Sequence, residues 1–178
     1  EWVNAGGFLF ATAGAGMQNE FNRPNRTLRE LFGIEPQALE LRDMAFWGKA
    51  DLPFLEPMDE SVSTVSNVPD GRAVRFPVFL ARQKFALAAP AGQYSDIVAM
   101  TFATGGNAFA GRIVGRGIAR YAGFFPGMAY VKPSIPLRPA DRGSTDDSMA
   151  HFVPTAFDLM AAHLILGPTR DAGIRPPV

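Results

Sequence analysis

Two stretches of this 178-residue chain carry residue types that can do chemistry. One is the polar run "DRGSTDDSMAH", residues 141–151, in which Asp141, Asp146, Asp147 and His151 crowd together with Ser144 and Ser148. A carboxylate beside an imidazole is the orienting half of a nucleophilic triad, and two carboxylates about 5–9 Å apart can carry out acid–base work on a glycoside. With Glu20 opposite, Asp146, Asp147 and His151 form the candidate catalytic set of a hydrolase. Asn19, Glu20, Asp141 and Arg142 are the candidate ligand-binding residues. The same residue types have a structural explanation as well, because Asp and Ser side chains cap helices and close turns by accepting from nearby backbone N–H groups.

The other stretch is "ATAGAGMQNE", residues 11–20. Gly14-Ala15-Gly16 supplies two glycines of the dinucleotide-binding fingerprint but not the third, and no Lys-Ser/Thr follows to make a phosphate loop. A nucleophile elbow would need Gly-x-Ser-x-Gly or a cysteine, and Thr12 is the only hydroxyl on the turn. A sharp strand-to-helix turn built from small residues is the economical interpretation.

Composition narrows the function classes. Seventeen basic residues balance 17 acidic ones, so no net field draws in nucleic acid or an anionic membrane. The absence of cysteine removes disulfides, thiolate metal sites and a cysteine nucleophile; no cofactor or metal is expected. No apolar run reaches the roughly 20 residues that span a bilayer, and 47% hydrophobic residues fit one soluble globular domain. The compartment stays open. The beginning "EWVNAGG" and the ending "GIRPPV" read as a helix and a strand cut short, so the chain is expected to be a fragment, with any signal peptide outside it.

The elements that must position these residues are legible from pattern. Trp2 and Val3 before Gly6-Gly7 predict a helix end, and Phe8–Ala11 predicts a central strand buried on both faces. Thr27-Leu28-Arg29-Glu30 predicts a capping box, with Gly33 closing a short helix. Residues 34–110 form a β-rich middle section, with strands over Ala73–Leu80, Lys84–Ala88 and Ile97–Ala103. Gly115-Arg116-Gly117 predicts a hairpin turn, and residues Pro154–Leu166 a helix stopped by Gly167-Pro168, with His163 facing solvent. Phe124, Phe125, Tyr130 and Phe152 belong either to the core or to a sugar-stacking platform.

The stretch "EWVNAGGFLFATAGAGMQNEFNRPNRTLRELFGI" resembles a segment of the beta-galactosidase trimerisation domain: helix, Gly-Gly, apolar strand, small-residue turn, then a short helix ending in Phe-Gly-Ile. "GRGIARYAGFFPGMAYVKPSIPLRPADR" and "HFVPTAFDLMAAHLIL" extend the likeness more loosely, to uncharacterised bacterial domains of sugar-processing proteins. The resemblance implies an α/β, flavodoxin-like layer fold of the class I glutamine amidotransferase type, here with a β-rich insertion. In catalytic relatives the strand matching Phe8–Ala11 leads into an elbow bearing a cysteine. Thr12-Ala13-Gly14 stands there instead, which implies the non-catalytic branch: a structural, oligomerisation or accessory module. Its implied partners are the rest of a parent chain, further copies of itself and carbohydrate.

Overall fold

The computed structural model describes residues 1–42, 56–64, 73–88, 94–134 and 156–174. The chain opens on one helical turn, in which the Ala5 amide donates to Glu1 O at 3.0 Å, and enters strand β1, Phe8–Thr12. Helix α1, Arg26–Phe32, comes next, then β2, Ile34–Pro36, and β3, Glu40–Leu41. Strands β4 (Asp59–Ser63), β5 (Arg75–Val78), β6 (Ala81–Arg82), β7 (Phe85–Leu87), β8 (Tyr94–Phe102), β9 (Asn107–Val114) and β10 (Gly117–Ala122) fill the middle. Helix α2, Pro126–Val131, a 3-10 turn at Lys132–Ser134 and helix α3, Leu159–Asp171, complete the described elements.

The main sheet runs β1-β10-β9-β8-β4-β5, with β2 and β7 attached through β7 to β9; β3 and β6 form a separate ribbon. β1 and β10 are parallel, whereas the other paired strands are antiparallel. The architecture is mixed α/β. Register shifts between β8 and β9 around Met100 bend the sheet, as an extra residue in one strand of a pair does. Between β9 and β10 a two-residue loop brings Val114 opposite Gly117. Gly115 takes φ 61°, while Gly117 is required for space, since a Cβ there would overlap the carbonyl oxygens of Val3 and Gly7.

Two apolar clusters sandwich the sheet. Phe76, Met100, Phe102, Phe109 and Phe124 pack with Ala129 of α2 and with Ala161 and Leu164 of α3 on one side. Phe32, Ile34, Phe85, Ala119 and Tyr121 form the other. Leu9 and Ala11 join this second cluster and Phe10 the first, so β1 meets both layers, as its unbroken apolar run predicts. Its expected central position is corrected: among the described residues β1 pairs with β10 alone, and all five of its residues are only half-buried.

Two helix boundaries are corrected as well. The N-cap of α1 is Asn25, whose side chain accepts from the Thr27 amide at 3.0 Å, so Thr27 lies inside the helix; Gly33 closes it in the left-handed conformation, as read. Helix α3 starts later than expected, with Asp158 accepting from the Ala161 amide at 2.8 Å, and it runs through Gly167-Pro168. It ends at Gly173 (φ 71°), where the Ile174 amide reaches back to Thr169 O at 2.9 Å in a Schellman closure. Proline costs such a helix one N–H donor, and here that loss did not end it. No helix among the described residues is long and apolar enough to cross a membrane.

Candidate functional site

The turn after β1 brings the chain back over the sheet. Ala13 is buried, and the Ala15 amide donates to Thr12 O at 3.0 Å, which closes a tight elbow. Gly16 has φ 63° and sits where a Cβ would overlap Leu28 of α1, so this position needs glycine twice over. Helix α1 is thereby pressed against the elbow.

Beneath the elbow lies Gln83, fully buried just after β6 and held by its own amide, which donates to Gly123 O at 2.6 Å. Its side-chain Oε1 accepts from the Gly14 amide at 2.9 Å and from the Tyr121 hydroxyl. Its Nε2 donates to Gln37 O at 2.9 Å and approaches Met17 Sδ at 3.4 Å. One neutral amide thus ties the elbow, the segment after β2 and the end of β10 together. Burial pushes the Tyr121 hydroxyl up to about 12, outweighing the opposing effect of the Gly14 amide, so it stays protonated as the donor this network needs. An open cavity of about 450 Å³ adjoins the elbow, lined by Gly14, Gly16, Met17, Gln37, Leu39 and Gln83 among others.

Arg82, one residue earlier, builds a charged cluster. Its Nη1 donates to Asp59 Oδ2 at 2.7 Å and to Thr104 Oγ1 at 3.0 Å, and its Nη2 to Glu40 Oε2. The Asp59 side chain is 1% exposed. Burial raises its carboxyl, but bonds from the Thr104 hydroxyl, the Arg82 guanidinium and the Glu60 and Thr104 amides outweigh this and hold it below the usual value. Both terminal nitrogens of Arg82 are engaged by the cluster, while its Nε is buried without a hydrogen-bond partner among the described residues.

The residues singled out in the sequence fare differently. Glu20 stands exposed on a small loop after the elbow. Asn19 organises that loop, its Oδ1 accepting from the Phe21 and Arg23 amides at 3.0 Å each. Asp141, Arg142, Asp146, Asp147 and His151 lie outside the described residues, as does Phe152. Among the described residues no group of three or more His, Asp or Glu could hold a metal. His163 is exposed, 2.9 Å from Arg170 Nη1. Phe124 is fully buried and Tyr130 stacks on Phe157 with centroids 4.8 Å apart, so Phe124, Phe125 and Tyr130 make no exposed row. Sequence reasoning missed Gln83, Tyr121, Arg82 and Asp59, because no motif marks residues that converge from distant strands.

No family model and no curated protein matches the chain. Solved structures do. A beta-galactosidase from Bacillus circulans sp. alkalophilus superimposes with a TM-score of 0.57 at 14% identity, covering 98% of this chain and 20% of the enzyme. A catalytic mutant of a GH42 beta-galactosidase from G. stearothermophilus gives 0.54 at 14% identity, covering 98% and 19%. The fold is beta-galactosidase-related. The chain spans about one-fifth of the length of these enzymes, and at such identity the likeness concerns the fold alone.

Proposed function

We propose that this chain is a non-catalytic structural, oligomerisation or accessory module of a larger carbohydrate-processing, beta-galactosidase-like protein. In this proposal β1 and its elbow belong to an amidotransferase-like, flavodoxin-like layer, and the β-rich section 34–110 is an insertion into it. The observation that carries the proposal is the elbow itself. A catalytic elbow offers a nucleophile and free backbone donors to a developing oxyanion. Here Thr12-Ala13-Gly14 offers no cysteine or serine, and the Gly14 amide is taken by Gln83. The low-identity match to one-fifth of several beta-galactosidases supports the carbohydrate context. The rest of the parent chain, and further copies of it, are the proposed partners.

The test is an assay of the purified chain on nitrophenyl galactosides and esters, with its mass in solution measured in parallel. The expected outcome is no turnover above buffer and no change on Glu20→Gln. Turnover that disappears with Glu20→Gln would overturn the proposal in favour of a hydrolase.

A further inference from the structure

The cavity beside the elbow has a chemistry that the closed elbow does not use. Its volume, about 450 Å³, lies within the range of small-molecule sites. Among the described residues its side-chain polar lining comes from three glutamines, Gln18, Gln37 and Gln83, and no charged side chain lines it. An ionic ligand would lose hydration there without gaining a counter-charge. Primary amides both donate and accept, as hydroxyl groups do, so the lining suits a neutral ligand rich in hydroxyls. Leu39 adds apolar wall for the C–H face of such a ligand.

Gln83 gives the cavity a directed donor. Three of its hydrogen bonds, with the Gly14 amide, the Tyr121 hydroxyl and Gln37 O, fix the plane of the amide. Among the described residues its remaining N–H faces Met17 Sδ at 3.4 Å, and a thioether is a weak acceptor. A hydroxyl oxygen is a better one. Methionine is unbranched and adaptable, so it can yield that place at little cost. The donor is therefore already oriented before a ligand arrives, which removes part of the ordering cost of binding.

We propose that this cavity binds one neutral sugar residue, held by the Gln83 Nε2–H after Met17 moves aside. The choice of a sugar among neutral polyols rests on the carbohydrate context of the proposed function. The experiment is a titration of the isotope-labelled chain with D-galactose, following the backbone amides of Gly14, Gly16 and Met17. Saturable shifts at millimolar sugar are expected. Leu39→Trp, which fills the cavity from a position 40% exposed, is expected to weaken binding at least about tenfold with the fold intact. Met17→Ala leaves affinity equal or higher, and galacturonate binds several-fold more weakly than galactose. If Leu39→Trp fails to fold, Gln37→Ala, at an exposed position, must weaken binding in its place.

Absence of saturable shifts with both galactose and glucose overturns the proposal, as does a response indifferent to Leu39→Trp and to Gln37→Ala. The two proposals fail separately. An empty cavity in a chain without turnover leaves the module standing, whereas glycoside turnover removes the non-catalytic role and leaves sugar binding at the elbow intact.

Discussion

Arg82 and Gln83 are consecutive, and both reach the stretch from Gln37 to Glu40, one through the Glu40 carboxylate at the start of β3 and the other through the Gln37 carbonyl just after β2. They do so by opposite physics. Successive side chains of an extended backbone point to opposite faces, so one enters the buried space under the elbow and the other the rim. In the interior a neutral amide satisfies four neighbours without a charge to desolvate. At the rim an ion cluster is sustained because Glu40, 46% exposed, remains in contact with water while Asp59 is sealed. The neutral hub should ignore pH in the acid range; the ionic one should not.

The largest effect is expected from Gln83→Leu. It strands the buried Tyr121 hydroxyl and removes the partners of the half-buried Gly14 amide and the Gln37 carbonyl, and should cost about 3 kcal/mol or slightly more in urea unfolding. A loss below about 1 kcal/mol would mean that the elbow holds itself without Gln83. Arg82→Met should come next, at about 3 kcal/mol, because it leaves the Asp59 carboxylate buried without its cation. Adding Asp59→Asn to Arg82→Met should recover part of that loss. Simple additivity in this double-mutant cycle would break the picture of a coupled cluster.

The acid limb sharpens the contrast. Asp59 has a folded-state value below the ordinary 3.8, so the unfolded chain binds its proton more readily than the folded one. The stability it supplies is fully present above 3.8 and is lost as pH falls through the lower folded value. Asp59→Asn should flatten acid unfolding, while Gln83→Leu should lower stability without changing that slope. In alkali the roles reverse. Tyr121 is raised from 10.0 to about 12, so its contribution is intact below 10.0 and drains as pH rises towards 12. Tyr121→Phe should remove this alkaline loss, at a neutral-pH cost of about 1 kcal/mol. The smallest change, Asn25→Ala, touches neither hub; it should cost about 1 kcal/mol through the lost cap, with Thr27→Ala costing less.

Local signals in the chain were readable where a single residue type settles the geometry. The hairpin at Gly115, the closure of α1 at Gly33 and the strands of the middle section follow from glycine's positive φ and from short β-rich runs. Where two residues compete for one role, local reading failed: Asn25 and Thr27 are both good caps, and the path of the backbone chose Asn25. Gly167-Pro168 looked like a stop, yet α3 continues to a glycine closure six residues beyond Gly167, with Ala161 and Leu164 anchored in the core.

By itself the sequence determined the short apolar runs of an α/β chain, a charge balance without a field, and an elbow without a cysteine or serine, because each is a property of composition or of a few neighbouring residues. Tertiary structure decided what the elbow is tied to. Glutamine carries no charge, periodicity or motif, and its meaning at position 83 comes from three segments, 14, 37 and 121, that only the folded sheet brings within hydrogen-bonding distance.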